Sequence, residues 1–381
     1  MKRKFVSVSL SAALIMASMT ACSSQNSDKG KEEAGAETSV ATTEESDASL
    51  SADTAALSDS AEEASTQEHL SSDGASTADT DPAEGVTGES AVPTKDLAGN
   101  DISVPTEVEK IVSMSPSSTR LLIDLGLADK ITGCDTYSFE YYGKDLSQDI
   151  PQFDMMQPDQ EALVSMKPDI IFTTGMSYAG GTDVYASVRE SGVCLADIPT
   201  PSSIDGIAES ISFVGGCTGE SEEAEAIVKD MENTLDEISA AAEKIGDRKK
   251  VLYTSSTPTA ESPALYSAGK DTYIDEAIAL IGAENVTADQ DPWASVTEEA
   301  AIAMNPDVII STDTYTPDAV KALTGLSGWE KVSAIEAGQV YLLDTSNELN
   351  QPNQHVVSAI VEMAKDIYPD VYGDIRDPFA Q

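Results

Sequence analysis

Basic residues are scarce in this chain. Its 381 residues hold 22 Lys and Arg against 67 Asp and Glu, a formal charge of −45. Nucleic acid and anionic membrane surfaces would be repelled, so neither is an expected partner. Histidine is scarcer still. Of two, His69 and His355, only His355 lies where the composition permits a fold. Direct carriage of Mn or Zn by several imidazoles and carboxylates is therefore disfavoured, and no metal site is expected. Long apolar runs are also missing. Phe5 to Met16 is the longest candidate and is too short to span a bilayer.

That short run has a different use. Lys2, Arg3 and Lys4 precede it, and Met19-Thr20-Ala21-Cys22 follows it. Small residues before a Cys resemble the lipobox of bacterial lipoprotein leaders, in which the thiol is acylated. Residues 1–22 are then a signal peptide, and Cys22 is the lipidation site. The other reading is an ordinary secretory leader with an incidental Cys. An acyl anchor would hold the protein to the cell membrane without spanning it, on the extracytoplasmic side.

Residues 23–94 contain no aromatic residue and carry 17 acids against two bases, Lys29 and Lys31. Such a segment cannot bury enough surface to offset its ordering entropy. It reads as a disordered acidic tether with a reach of roughly 45 Å, extended further by self-repulsion. With the tether's −15 and the leader's +3 set aside, −33 remains on residues 95–381.

A repeat organises that remainder. Residues 161–174 read EALVSMKPDIIFTT and residues 299–312 read EAAIAMNPDVIIST. In each, an acid opens a short amphipathic helix, an x-Pro-Asp step breaks it, and an apolar run follows as a buried parallel strand. The strands expected in the first lobe are Lys110–Met114, Ile131–Thr136, Asp169–Thr174 and Val193–Ile198. Those expected in the second are Lys250–Ser255, Asn285–Ala288, Asp307–Thr312 and Val340–Leu343. Helical patterns lie between them, so the fold class is α/β, with two Rossmann-like lobes of parallel sheet. Between the lobes, Ala224, Val228, Met231, Leu235, Ile238, Ala242 and Ile245 recur at spacings of four and three. This predicts one long helix over Glu220 to Ile245. A coiled-coil segment is the other reading of that pattern. The domain boundaries follow as lobe 95–217, connecting helix 218–247 and lobe 248–381.

The segment DLAGNDISVPTEVEKIVSMSPSSTRLLIDLGLADKITGCDTYS resembles the start of ABC-transporter substrate-binding proteins of the cobalamin and iron–siderophore type. Its marks are a D-x-x-G hairpin, the run KIVSMSPS, a helix ending Leu-Gly-Leu, and a second strand with Gly133. The resemblance extends from about Lys95 to Tyr368. It implies the helical-backbone class of periplasmic binding protein, a ligand cleft between the lobes, a monomer, and an ABC permease dimer as partner. It also implies that one exposed Glu per lobe docks on that permease, and Glu161 and Glu299 match by position. The plainer reading of these two is an acid favoured at a helix N-terminus, worth about 0.3–1 kcal/mol. Asp159, Asp291 and Glu298 could supplement them.

Ligands of parallel sheets sit beyond the carboxyl ends of the strands. Those ends offer Ser115, Pro116, Tyr137, Met176 and Tyr178 in the first lobe. The second offers Ser255, Trp293, Tyr315 and Asn350. Trp293 lies in Pro-Trp-Ala-Ser-Val, which resembles a segment of cobalamin-binding members. The bland reading of any of these aromatics is core packing. Tyr141, Tyr142, Tyr266 and Tyr273 are further candidates. Residues 95–381 hold only four arginines, Arg120, Arg189, Arg248 and Arg376, none at a strand end. An anionic catecholate or citrate complex would want such bases. A corrinoid fits better. A neutral or cationic ferric hydroxamate is the alternative, and haem is disfavoured by its propionates. The ligand is thus a metal chelate, and no resident cofactor is expected.

Enzymatic chemistry is not expected. Gly175-Met176-Ser177-Tyr178-Ala179 nearly matches the nucleophile elbow G-x-S-x-G, but Ala179 breaks it and only His355 could be the base. A surface esterase is the reading from a different class. A purely adhesive lipoprotein is a third, which leaves the repeat unexplained. Cys134, Cys194 and Cys217 are an odd set after Cys22. They permit one disulfide, Cys194–Cys217, or three free buried thiols.

Overall fold

The computed structural model describes residues 92–175 and 183–380. The leader, Cys22 and nearly all of the acidic segment lie outside the described residues, as do Met176, Ser177 and Tyr178. The first lobe runs β1 (Ile111–Ser113), α1 (Pro116–Asp124), β2 (Ile131–Asp135), α2 (Thr136–Tyr142), β3 (Gln152–Phe153), α3 (Gln160–Met166), β4 (Ile170–Thr174), α4 (Ala186–Glu190), β5 (Cys194–Ile198) and α5 (Ile204–Thr218). The connecting helix is α6 (Ser221–Ala242). The second lobe runs β6 (Lys250–Thr254), β7 (Ala264–Ala268), α7 (Tyr273–Leu280), β8 (Glu284–Asn285), β9 (Trp293–Thr297), α8 (Glu298–Met304), β10 (Val308–Ser311), α9 (Ala319–Thr324), α10 (Ser333–Ala337), β11 (Val340–Leu342), α11 (Ser346–Asn350), α12 (Val356–Ile367) and α13 (Pro369–Tyr372).

The first sheet has order β3-β2-β1-β4-β5 and the second β11-β10-β6-β8, both parallel throughout. Burial on both faces explains the unbroken apolar runs. Ile111, Ile170 and Phe172 point into one core, while Val112 and Ile171 point into another. The second lobe repeats this, with Val251 and Val308 on one face and Leu252 and Ile309 on the other. The first of these cores runs without a break from the first lobe through α5 and α6 into α7 and α12. The two lobes therefore share apolar packing rather than meeting only at a linker.

The repeat is visible in detail. Asp159 caps α3 by accepting from the Ala162 amide at 3.0 Å, and Thr297 caps α8 by accepting from Ala300 at 3.3 Å. Both helices end on a left-handed residue before the proline, Lys167 at φ 50° and Asn305 at φ 47°. The Asp after each proline then ties two strands together. Asp169 accepts from the Lys110 amide at 2.8 Å, and Asp307 accepts from the Lys250 amide at 2.9 Å.

The connecting helix buries Ala224, Met231 and Ile238 at a spacing of seven, with Thr234 and Ala241 beside them. Val228 and Leu235 are half-buried, and the acids Glu222, Glu223, Asp236 and Glu237 face solvent. Its close approach to α5 needs Gly215, where a Cβ would lie 2.4 Å from the Ala224 Cβ and 2.9 Å from the Glu220 carbonyl oxygen.

Two expectations change. The second lobe is not wholly parallel, because β7 and β9 form an antiparallel pair with Tyr266 opposite Ser295. The expected strand Asn285–Ala288 shrinks to Glu284–Asn285. There the Asn285 amide and Thr287 hydroxyl both donate to the Ala268 carbonyl, at 2.9 and 2.8 Å, and end the ladder. The remaining expected strands form, most of them trimmed by a residue or two. Cys134, Cys194 and Cys217 are buried free thiols. Burial pushes Cys194 up to about 11 and Cys217 up to about 12.

Candidate ligand cleft

A cavity of about 630 Å³ opens between the lobes, at the carboxyl ends of β1, β2, β4 and β5. Helix α1 starts at its wall. Ser115 caps that helix by accepting from the Ser118 amide at 3.2 Å, and Pro116 occupies the first turn, where its missing N–H costs nothing. Both residues line the cavity. From the facing lobe come Trp293 at the start of β9, Tyr315 after β10, and Asn350 at the end of α11. Asn350 is fixed from behind, its side-chain oxygen accepting from the Tyr253 hydroxyl at 3.0 Å.

The exposed aromatics are set on buried acids. Asp135 accepts from the Tyr137 and Ser138 amides, each at 3.0 Å. Asp313 accepts from the Tyr315 and Thr316 amides, also at 3.0 Å. Burial raises the Asp135 carboxyl above its ordinary range despite the Ser138 and backbone donors. Burial also pushes Asp313 upward, but there the Thr316 hydroxyl and the amide donors prevail and leave it below that range. Tyr137 and Tyr315 are 49% and 81% exposed, so neither is core; each is a side chain held out into the cleft.

Of the residues expected from sequence, Ser115, Pro116, Tyr137, Trp293, Tyr315 and Asn350 come together around this cavity. Ser255 does not. Its amide and hydroxyl both turn to the Tyr266 carbonyl, at 2.9 and 3.4 Å, and β6 ends one residue earlier than expected. Met176 and Tyr178 lie outside the described residues. Two of the further candidates prove to be lining residues, Tyr141 and Tyr273. Tyr141 stands four residues after Tyr137 and so shares its helix face, a spacing that could have ranked it higher. Its phenol is pushed up to about 12 by burial, with Tyr315 across the cleft adding to the effect. Tyr273 is anchored through its hydroxyl to the Leu349 carbonyl at 2.7 Å.

The loop at 351–355 was not foreseen as part of the site. Gln351, Pro352 and Asn353 line the cavity, and the first lobe grips the loop from three sides. Ser117 donates to the Pro352 carbonyl at 2.7 Å, and Tyr142 donates to the Gln351 side chain. Asp124 accepts from Gln354, stands 2.7 Å from His355 Nε2, and pairs with Arg120 at 2.7 Å. Burial raises the Asp124 carboxyl, but His355 and Arg120 outweigh it and hold it below the usual carboxylate range. His355 is thus a buried inter-lobe contact, and its Nε2 is committed to Asp124 and Arg120.

The result is a lining without charge. Among the described residues around the cavity there is no Asp, Glu, Lys, Arg or His. Residues 176–182 are also uncharged in sequence. Arg120 is held away by Asp124 and by the Tyr142 ring, 5.8 Å from its guanidinium. No group of His, Cys, Asp or Glu among the described residues could hold a metal ion. No described helix is long and apolar enough to cross a membrane.

Two α/β lobes on a shared helical spine, with an aromatic cleft between them, define a two-lobed solute-binding protein. Comparison with known proteins places it further. Residues 111–346 match the model of the periplasmic binding protein family, and the chain belongs to that family. It is 29% identical over 278 residues to an uncharacterized ABC transporter substrate-binding lipoprotein, YvrC, of Bacillus subtilis, covering 73% of this chain and 85% of that protein. A cobalamin-binding protein of Halobacterium salinarum is 25% identical over 279 residues, covering 71% of this chain and 72% of that one. A possible iron-binding periplasmic solute-binding protein of Staphylococcus epidermidis superposes with a TM-score of 0.60 at 27% identity, over 69% of this chain and 100% of that one.

Proposed function

We propose that this chain is the extracytoplasmic solute-binding component of an ABC importer and that it captures a corrinoid. The observation that carries this is the cavity lining, whose described residues include four Tyr and one Trp and no charged side chain. Aromatic side chains give a flat, bulky ligand large contact area at low entropic cost. A corrin ring with amide side chains needs hydrogen-bonding partners rather than counter-charges, and Ser117, Asn347, Asn350 and Asn353 supply them. Haem would bring two propionates to a wall without a base. The Halobacterium relative's name points the same way.

The protein binds and hands over; it performs no chemistry. Ser177 lies outside the described residues, and the one imidazole that could serve it has its Nε2 engaged between Asp124 and Arg120. In this reading acylated Cys22 anchors the chain, the acidic segment spaces the lobes from the membrane, and a single copy engages the permease. Glu161 and Glu299 are the docking acids. Both are exposed in the first turns of α3 and α8, at matched places in the two lobes. Glu298 is less available, because it accepts from the Trp329 indole at 3.1 Å.

Titration of the full chain with cobalamin, cobinamide, ferric hydroxamates and haem tests the ligand class, read by Trp293 fluorescence and calorimetry. Saturable corrinoid binding is expected. Tight binding of a ferric hydroxamate with no corrinoid response would overturn it. That alternative draws on the same uncharged lining, since hydroxamate complexes of iron carry little negative charge.

A further inference from the structure

Residues 373–379 double back toward the loop at the cleft. Helix α12 runs from its cap residue His355 to Ile367, about 18 Å at 1.5 Å per residue. After α13 the chain returns, and the Phe379 ring reaches the His355 imidazole, with 5.7 Å between centroids and 56° between planes. The root of this return is fixed. The Tyr368 and Tyr372 hydroxyls donate to the Gly282 and Ile281 carbonyls, at 3.2 and 2.9 Å. Ile375 and Phe379, four residues apart, then pack against the core that the two lobes share. Phe379 does not line the cavity.

The imidazole it packs on belongs to a poorly satisfied stretch. Gln354, His355 and Ser358 are at most 5% exposed, yet Gln354 Oε1, His355 Nδ1 and Ser358 Oγ have no hydrogen-bond partner among the described residues. Burying polar atoms without partners costs free energy, so this stretch favours opening to water unless something keeps it shut. Asp124 grips it through Gln354 and His355 Nε2, and Phe379 packs on the same imidazole. The stretch is joined directly to the cleft. Asn353, which lines the cavity, accepts the His355 amide on Oδ1 at 2.8 Å and the Val356 amide on its carbonyl at 3.0 Å. A displaced His355 therefore carries Asn353 with it.

We propose that residues 373–379 are a strap and that Phe379 is a positioning residue for ligand binding, acting through His355 on Asn353. The ring keeps shut a loop whose own hydrogen bonds leave three buried polar atoms without partners, and in doing so it sets one wall of the cleft from outside it. The effect on affinity rests on the ligand reading above; the closure of the loop does not.

The test compares the full chain with its F379A and F379L variants by two measurements. The first needs no ligand. Amide hydrogen exchange is followed at residues 355–358, whose amides close on Asn353, Gln354 and His355. F379A is expected to speed exchange there roughly three- to tenfold, the worth of one aromatic pair, and to leave β1 and β10 unchanged. F379L keeps an apolar cover and should stay close to the unsubstituted chain. Unchanged exchange at 355–358, or an equal rise throughout both lobes, overturns the strap. The second measurement is titration with cobalamin, read by Trp293 fluorescence. F379A should weaken binding by a similar factor, and F379L should recover most of it. Faster exchange at 355–358 with undiminished affinity overturns the positioning role. If the unsubstituted chain binds no corrinoid, the ligand reading fails and the exchange result alone decides the strap.

Discussion

Asp135 and Asp313 hold the cleft from opposite sides in the same way. Each accepts, at 3.0 Å, the amide of the tyrosine two residues further on and the amide after that. A buried acceptor of two amides fixes a turn far better than the exposed ring it presents could fix itself. D313A should therefore weaken ligand binding although Asp313 does not line the cavity. Loss of a buried acceptor of this kind costs about 1–3 kcal/mol of stability, and freeing Tyr315 should cost the ligand several-fold in affinity. Calorimetric titration and thermal melting of D313A check both. Unchanged affinity together with a lowered melting temperature would show that the position of Tyr315 is irrelevant to binding.

Glu161 and Glu299 make a different demand. Both are exposed and both lie away from the cavity lining. E161R and E299R should leave ligand affinity within about twofold, because each lies outside the binding surface, while uptake and stimulation of transporter ATPase fall sharply. If the proposed docking role holds, the double substitution should abolish both, since reversing the charge of a docking acid replaces attraction with repulsion. A large loss of ligand affinity in either variant would remove the docking role.

Gly215 tests the spine. A methyl group there meets Ala224 at 2.4 Å, inside any permitted contact, and both partners are on helices shared with the lobe cores. G215A should lose about 1–3 kcal/mol as α5 and α6 are forced apart. A224G removes the opposing methyl group, so G215A/A224G should recover part of that loss beyond what the glycine itself costs in a helix interior. Chemical denaturation of the three variants measures the coupling. Simple additivity would mean that the helices adjust without strain.

What could be read from the sequence tracks how local its cause is. The helix, proline and strand at 161–174 and 299–312 are contiguous, and the structure places α3, β4, α8 and β10 on them at the same offset. The spine was legible because one periodicity runs its whole length. The β7–β9 pair was not, since 24 residues carrying α7 and β8 separate its strands, and their partnership is decided by tertiary packing. The same holds within the site. Ser115, Tyr137 and Trp293 follow from strand ends and a motif. Gln351 to His355 is a polar stretch whose place in the cleft comes from Ser117, Tyr142 and Asp124, more than 200 residues earlier.

Asp366 gives the clearest pH dependence. It lies on α12, half-buried, and its carboxyl is pushed up to about 6 by burial, with Glu362 and Asp344 adding like charge. Glu362 cannot turn away, because it accepts from the Asp344 amide at 2.7 Å and from the Thr345 amide at 2.9 Å. A carboxyl raised in the folded state favours folding while it is protonated. That contribution is complete below the ordinary carboxylate range near 4 and disappears as the pH rises through about 6. At neutral pH the ionised group is a net burden. Because the side chain is partly solvated, the burden is about 1 kcal/mol rather than the full value of the shift. D366N removes it and should raise the melting temperature by about 2–4 °C at pH 7.5, with little change at pH 4. Thermal melts of both proteins across that range give the result. A gain that persists undiminished at pH 4 would trace the effect to the amide's packing, not to the charge.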